Sequence, residues 1–401
     1  MKILLIILDG GGDVGERTPY QTADKPNIDF LAKNGKCGLL DIGYKKTPQS
    51  DFGYLNIMGF YSEDSYPGRG YLEALGVGME DIGEKDICIR GNFATLANNG
   101  NVLNRRAGRD EKGLDELADK LDGMEIGGVH FSVRRSAGHR VVIVMGALDQ
   151  KIELSGELTS NDPEKTGVPV MQIKPRKPEA RATASVLNKF VAKTNKILSK
   201  EQVNKERELP ANVLLLRGFG KRRELKTFRE TYGLSSCCIA GIPIVKGVAS
   251  FLGMDIITVP GATGYPDTNL EGKFRETLEA LQKYDFVWLH INGTDILSHD
   301  RKREGKAKFI EKIDKNLGEI LKKIDMKETV VIITSDHRTA SDPSYPYYSH
   351  TKDPNPILIS GDGIKPDRIE KFDEKSCAGG FFIKGNGLFP FVLKQIKSNV
   401  D

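Results

Sequence analysis

Cysteine is scarce in this chain. There are five in 401 residues, Cys37, Cys88, Cys237, Cys238 and Cys377, and no C-x-x-C pair among them. An odd count without paired spacing argues against a disulfide framework and against a thiolate-bound structural zinc, and it points to a reducing, cytoplasmic compartment. Long hydrophobic runs are missing too. The opening M-K-I-L-L-I-I-L-D-G falls far short of the roughly 20 apolar residues a membrane helix needs. It leads into an acidic, glycine-rich turn instead of a small-residue cleavage site, so neither a membrane span nor a signal peptide is expected. Strong charge of one sign is also absent: 59 basic and 55 acidic residues are interspersed and leave +4, which implies no large field for nucleic acid or a membrane. No internal repeat is visible, and the 43 glycines follow no period.

What is present is a chain longer than one hydrophobic core serves well, so two domains are expected. Ile3 to Leu8 is a continuous apolar run ending at Asp9, the pattern of a buried parallel strand with a carboxylate at its C-terminal edge, where α/β sheets place ligands. The pattern recurs from Phe286 to Ile291, before Asp295, and from Val330 to Ile333, before Asp336 and His337. Gly272 to Tyr284 and Lys306 to Ile324 carry helical periodicity, through Phe309, Ile313, Leu317, Ile320 and Leu321 in the second case. This alternation predicts a doubly wound α/β sheet. The middle differs. Asn92 to Leu96 and the Asn98-Asn-Gly turn predict a hairpin, Val141 to Val144 and Val213 to Leu216 read as strands, and Ala182 to Leu198 reads as a helix. The expectation is an inserted smaller α+β domain, residues 63–235, inside a sheet domain formed by 1–62 and 236–401.

Four of the six histidines, His290, His299, His337 and His350, fall near the C-terminus. Asp295 and His299 are four apart, which puts carboxylate and imidazole on one helical face. Asp336 and His337 are adjacent at a strand end, which would point them to opposite sides and toward two neighbouring ions. His350, in a loop before another apolar strand, adds a further imidazole. His290 lies inside its strand and reads as structural, while His130 and His139 are not assigned to metal. Asp9, in D-G-G-G-D, follows a strand and precedes glycines that let backbone approach a ligand, or simply turn. Ser50, in T-P-Q-S-D-F-G-Y-L, falls at a helix start, which suits an N-cap or a phosphate site. Carboxylate and imidazole donors suit Mn²⁺, Zn²⁺ or related ions, and two ions could polarise a phosphoryl group and activate Ser50.

These residues match a family. With D-G-G-G-D at Asp9, T-P-Q-S-D at Ser50, G-R-G-Y-L-E-A-L-G-V-G from Gly68, R-G-N-F-A-T from Arg90, N-R-R-A-G-R from Asn104, V-N-K-E-R from Val203, L-L-R-G-F-G-K from Leu215, P-G-A-T-G from Pro260 and T-S-D-H from Thr334, the chain resembles the archaeal-type cofactor-independent phosphoglycerate mutases of the alkaline phosphatase superfamily. The resemblance covers nearly the whole length. It implies an alkaline-phosphatase-like sheet domain and interconversion of 3- and 2-phosphoglycerate in glycolysis and gluconeogenesis, with no 2,3-bisphosphoglycerate requirement. It further implies two divalent ions, Mn²⁺ first and Mg²⁺, Co²⁺ or Zn²⁺ as alternatives. Asp9, Ser50, Asp336 and His337 would surround one ion and Asp295, His299 and His350 the other. Ser50 would carry the phosphate while glycerate reorients, Lys246 matches the family's active-site lysine, and Arg90, Arg105, Arg106, Arg109, His139, Arg140 and Arg217 become candidates for the substrate's anionic groups.

Where the family usually reads D-E-A-G-H-D-G-D, this chain has Asp295-Ile-Leu-Ser-His299-Asp-Arg-Lys, losing the acid beside the aspartate. The run R-T-A-S-D-P-S-Y-P-Y-Y after His337 is also unusual. A phosphatase, a homoserine-kinase-like phosphotransferase and a catalytically silent metal-binding protein are the competing readings.

Overall fold

The computed structural model describes residues 1–45, 48–346, 350–361 and 363–397. Thr47 of the T-P-Q-S-D segment, Tyr347 and Tyr348 at the end of the unusual run, and residues 398–401 of the expected sheet domain lie outside the described residues. The chain divides into two compact units, Met1–Ser65 with Leu225–Asp401, and Tyr66–Glu224.

In chain order the strands begin with β1 (Lys2–Leu8) and β2 (Gly35–Asp41). The middle of the chain supplies β3 (Ile87–Leu96), β4 (Val102–Asn104), β5 (Met124–Ile126), β6 (Val129–Arg135), β7 (Arg140–Ala147) and β8 (Val213–Gly220). The remainder are β9 (Ser236–Ile239), β10 (Asp255–Ile257), β11 (Phe286–Ile291), β12 (Thr329–Thr334), β13 (Arg338–Thr339), β14 (His350–Thr351), β15 (Asn355–Gly361) and β16 (Phe381–Lys384).

The first unit is built on an eight-stranded sheet in the order β10-β9-β11-β1-β12-β15-β2-β16. β1 pairs in parallel with both β11 and β12, and β15 runs antiparallel to β12 and β2. The three runs read as buried strands are continuous in apolar residues because both faces are covered. Leu4, Ile6 and Leu8, with Val287, Leu289 and Ile291, pack into one core with Phe274, Phe309, Ile310, Ile313 and Leu317 of the helices Leu270–Lys283 and Arg303–Leu321. Alternate residues of β11, Trp288 and His290, face the other way, where Tyr54 of the helix Ser50–Ile57 packs edge-on against both. The sheet therefore holds the Ser50 helix on the face opposite the two long helices.

Domain edges were expected at 62/63 and 235/236, and the units divide instead at 65/66 and 224/225. The difference lies in the short helix Phe228–Tyr232. Phe228 is fully buried and meets Phe60, Phe286 and Phe389, so aromatic packing assigns it to the first unit before β9 begins.

The second unit is a six-stranded antiparallel sheet, β4-β3-β7-β6-β5 with β8 on the other side of β3. The hairpin read around Asn98-Asn-Gly is β3–β4, and the helix Arg181–Leu198 covers the sheet through Leu187 and Phe190, the latter stacked on Phe131. The helix Arg69–Gly76 approaches β3 and β8 with almost no gap. A Cβ on Gly70 would stand 2.4 Å from the Cys88 carbonyl and 2.6 Å from that of Gly218, which accounts for the G-R-G spelling.

The cysteines are all free and buried. No helix among the described residues is long and apolar enough to cross a membrane.

A buried ion pair fixes the loop after β1. Lys306 Nζ lies 3.0 Å from Asp13 Oδ2 and also donates to the Gly12 and Thr339 carbonyls, while Ser341 Oγ donates to the same carboxylate at 2.6 Å. Lys306 and Asp13 are 0% and 1% exposed, so removing one partner leaves an uncompensated charge. Lys306→Met should lower the unfolding free energy by about 3 kcal/mol or more. Urea denaturation measures this, and a loss below about 1 kcal/mol would show that the pair does not hold the loop.

Candidate active site

β11, β1 and β12 are neighbours in the sheet, and their C-terminal ends carry the acidic and imidazole groups. Asp9 follows β1 directly. Asp295 and His299 sit on the helix Gly293–His299, one residue beyond β11, and Asp336 and His337 follow β12 after Ser335. His350 arrives by another route: β14 pairs with β13 so that His350 is opposite Thr339, which carries its imidazole onto that of His337, with ring centroids 3.5 Å apart. It therefore opens a two-residue strand and does not lie in a plain loop.

Glycine makes the convergence possible. Gly10 has a φ of +57°, and a Cβ there would lie 2.6 Å from Asp295 Oδ1 and 2.7 Å from Thr339 Oγ1. Its N–H donates to Asp336 Oδ1 at 3.1 Å.

The donors fall into two groups, Asp9 with Asp336 and His337, and Asp295 with His299 and His350, each with ligand atoms within 4.8 Å of one another. In the first, His337 Nε2 is 3.1 Å from Asp336 Oδ2, 3.6 Å from Asp9 Oδ1 and 3.4 Å from Ser50 Oγ. In the second, His299 Nε2 is 3.4 Å from Asp295 Oδ2 and 3.1 Å from His350 Nε2, and His350 Nε2 is 3.6 Å from Asp295 Oδ1. The first group is buried, whereas the His299 side chain of the second is 36% exposed.

Strand alternation would turn Asp336 and His337 to opposite sides, toward two ions, whereas the family resemblance implies one ion for both; in the structure they converge. β12 ends at Thr334, so strand alternation no longer governs the two residues. Ser50 is the first residue of its helix, not its N-cap; that position belongs to Gln49, which makes no side-chain capping bond. Lys246 lies on the helix Pro243–Phe251, which packs against the Ser50 helix, and among the described residues no hydrogen bond or ion pair ties it to Ser50 or to a metal ligand.

Local hydrogen bonds set the imidazole tautomers. Thr339 Oγ1 donates its one proton to Asp295 Oδ1, so His337 Nδ1, 3.0 Å from the same oxygen, is the donor there and a neutral His337 leaves its Nε2 lone pair bare. His350 Nδ1 can only donate to the Pro48 carbonyl at 3.0 Å, which likewise bares its Nε2. That lone pair faces His299 Nε2, an arrangement that a shared cation satisfies.

The electrostatics agree. Burial, then the negative charge of Asp9, pushes Asp336 well above the usual carboxylate range, and the same two causes raise Asp295. Burial also favours the protonated form of Asp9, but the hydrogen bond from His290, the neighbouring imidazoles and Tyr54 outweigh it and hold Asp9 low. Burial, then the neighbouring His350, drives His337 well below its ordinary value. Three carboxylates thus crowd one place, and Asp9 Oδ1 and Asp336 Oδ2 accept no hydrogen bond among the described residues. Oxygen and imidazole donors, orphaned acceptors and bare lone pairs together fit two divalent cations.

The altered run between Asp295 and His299 serves the helix that carries them. Leu297 joins the core, and Ser298, fully buried, donates to the Thr294 carbonyl, so the two ligands remain one turn apart.

The second unit gathers the seven basic candidates into one cluster. Arg90 on β3 is paired in register with Arg217 on β8, and Arg140 opens β7 opposite Asn92. Arg105 grips Asp162 through two bonds, Nε to Oδ1 at 2.8 Å and Nη2 to Oδ2 at 2.7 Å, and Arg217 Nη1 is 3.8 Å from the same carboxylate. Burial, then the surrounding positive charge, lowers Arg90, whose like-charged neighbours include Arg69, Arg140 and Arg217, and Arg106, whose neighbours include Arg109, Arg140, Arg105 and Arg217. Arginine keeps its proton in proteins, so these shifts mark a site short of negative charge. His130 lies on β6 of this unit, in neither ligand group.

Arg69, Glu73 and Asp162 were not foreseen. Glu73, 1% exposed, lies 2.9 Å from Arg69 Nε and 3.3 Å from Arg90 Nε. Burial would raise its carboxyl, but Arg90, Arg69 and Arg140 hold it at about 2. The Arg69–Glu73 spacing of four was visible inside G-R-G-Y-L-E, although such helical pairs are usually solvated.

The chain matches the metalloenzyme superfamily over residues 1–393. It is 40% identical to a 2,3-bisphosphoglycerate-independent phosphoglycerate mutase of Methanococcus aeolicus, across 98% of this chain and 97% of the relative, and 39% identical to one from Methanocaldococcus jannaschii, across 98% and 96%. Among solved structures, a Pyrococcus horikoshii protein superposes with a TM-score of 0.82 at 32% identity, covering 99% of this chain and 97% of that one. A cofactor-independent phosphoglycerate mutase from Thermoplasma acidophilum gives 0.68 at 33%, covering 98% and 99%.

His139 offers a test of the cation cluster. Burial, then Arg140, Arg106, Arg90 and Arg109, push its pKa down to about 3. The unfolded chain takes up that proton near pH 6.5 and the folded chain does not, so this contribution to stability is complete above about pH 6.5 and is lost as pH falls toward the folded value. His139→Asn should flatten the decline of the urea midpoint between about pH 6.5 and 4. Equal slopes in the two proteins would show that His139 is not held neutral.

Proposed function

The chain belongs to the 2,3-bisphosphoglycerate-independent phosphoglycerate mutases of the metalloenzyme superfamily, and from that premise we propose that it interconverts 3-phosphoglycerate and 2-phosphoglycerate through a phosphoserine at Ser50. The observation that carries this reading is the placement of Ser50 Oγ at the edge of a buried Asp–Asp–His group, with a second Asp–His–His group beside it.

In the forward direction Ser50 Oγ attacks the phosphorus of 3-phosphoglycerate. The bond from phosphorus to the substrate's O3 breaks, and the proton lost by Ser50 is balanced by one gained at O3, giving glycerate and phosphoserine. Glycerate turns while bound, its 2-hydroxyl oxygen attacks the same phosphorus as the bond from phosphorus to Ser50 Oγ breaks, and the proton that hydroxyl loses is balanced by the one Ser50 regains, giving 2-phosphoglycerate. Asp9, Ser50, Asp336 and His337 would hold one divalent ion and Asp295, His299 and His350 a second, Mn²⁺ before Mg²⁺, Co²⁺ or Zn²⁺, supplying charge neutralisation at the phosphoryl oxygens and a more acidic Ser50 hydroxyl. Lys246 is proposed as an additional cation for the transferring group. Arg90, Arg105, Arg106, Arg109, His139, Arg140 and Arg217, with Arg69, are proposed to recognise the substrate's phosphate and carboxylate, for which planar guanidinium forks are suited. The same reading makes the protein a cytoplasmic enzyme of glycolysis and gluconeogenesis with a small-molecule substrate and no nucleic-acid or membrane partner.

Conversion of 3- to 2-phosphoglycerate, assayed with Mn²⁺ and without 2,3-bisphosphoglycerate, should be lost on chelation and restored by the metal. Ser50→Ala should reduce kcat by at least about 10³-fold, the scale expected when a covalent nucleophile is removed. Phosphate release from simple esters without isomerisation would mean that water is the acceptor and that the mutase reading is wrong.

A further inference from the structure

Tyr54 and His290 sit beneath the buried ligand group, and Tyr54 also neighbours Ser50. Tyr54 Oη donates to Asp9 Oδ2 at 2.5 Å, and His290 Nε2 lies 2.8 Å from Tyr54 Oη and 3.3 Å from the same carboxylate oxygen. All three side chains are buried. Because the phenol's one proton is committed to Asp9, His290 Nε2 must carry a hydrogen directed at the phenol oxygen and Asp9 Oδ2. That tautomer leaves Nδ1 as a bare acceptor, and His290 Nδ1 indeed has no hydrogen-bond partner among the described residues. Lys273 Nζ, also buried, donates to the His290 carbonyl at 2.9 Å and ties β11 at this position to the helix Leu270–Lys283.

The consequence for Asp9 is asymmetric. Oδ2 is saturated by two donors, while Oδ1 accepts no hydrogen bond and points toward His337 Nε2 at 3.6 Å. Tyr54 also lies one turn along the helix that begins at Ser50, so the hydroxyl holding Asp9 and the serine are carried by one rigid element.

We infer that Tyr54 and His290 are positioning residues for the metal centre, gripping Asp9 Oδ2 so that Oδ1 alone is presented to a divalent ion, in register with Ser50. The inference rests on the metal centre proposed above. Donors to the outer oxygen of a ligating carboxylate fix its orientation, and losing them typically costs 10–100-fold in metal affinity or activity.

The test is titration of the metal-free full-length protein with Mn²⁺ alone, following bound and free ion by electron paramagnetic resonance and calorimetry. Wild type should bind two ions. Tyr54→Phe, which keeps the ring against Trp288, should weaken one of them by about 10–100-fold and leave the other unchanged. His290→Leu should do the same. His290→Gln, which retains an N–H donor, should restore much of the loss. A merely structural role would lower thermal stability while affecting both ions alike, and that outcome overturns the inference, as do two unchanged affinities in both Tyr54→Phe and His290→Leu. Fewer than two ions in wild type would remove the metal centre itself, a failure separable from that of the positioning role.

Discussion

Repulsion among three carboxylates is the constraint on which the first unit's architecture turns. Asp9, Asp295 and Asp336 are brought together at the ends of three adjacent strands, and the charge of Asp9 helps drive the other two away from ionisation. A fold does not keep such a cluster for stability, because like charges in a low-dielectric setting are costly unless something of opposite sign joins them. Imidazoles with bare Nε2 atoms border the carboxylates, and a serine stands at their edge. Divalent cations would complete that arrangement.

Much of the surrounding structure keeps the cluster in place. Gly10 permits the approach that any Cβ would block, the Lys306–Asp13 pair anchors the loop after β1, and Thr339 links the two ligand groups by bonding Asp295 and His337 at once. The second aspartate of D-G-G-G-D is thereby explained as an anchor and not as a ligand. The second unit poses the opposite problem, an excess of guanidinium groups balanced in part by buried Glu73 and Asp162, and a phosphorylated carboxylic acid is the kind of ligand that answers it.

The sheet was legible in the sequence because strands covered on both faces must be apolar throughout, and β1, β11 and β12 have that pattern. The candidate ligands were legible in part because Asp9, Asp295, Asp336 and His337 stand within a few residues of those strands' ends, whereas His299 and His350 were read from their spacing and from the clustering of histidines. Asp336 and His337 were misjudged where strand periodicity was applied past the strand's end at Thr334. Tyr54, Thr339, Glu73 and Asp162 were missed for other reasons. Tyr54, Thr339 and Asp162 act through partners distant in the chain, 45 residues away for Tyr54 with Asp9, 44 for Thr339 with Asp295 and 57 for Asp162 with Arg105, while Glu73 sits four residues from Arg69 in a spacing that ordinarily marks a solvated helical pair. The domain edge moved because Phe228, too, is placed by distant partners, Phe60 and Phe389.

The central claim is that two distinct ligand groups flank one serine. Anomalous scattering from crystals grown with Mn²⁺, recorded at the manganese edge, tests it most directly. The account predicts two peaks, one within bonding distance of Asp9, Asp336 and His337 and adjoining Ser50 Oγ, the other bonded to Asp295, His299 and His350. A single peak, or peaks bonded to other residues, would contradict it.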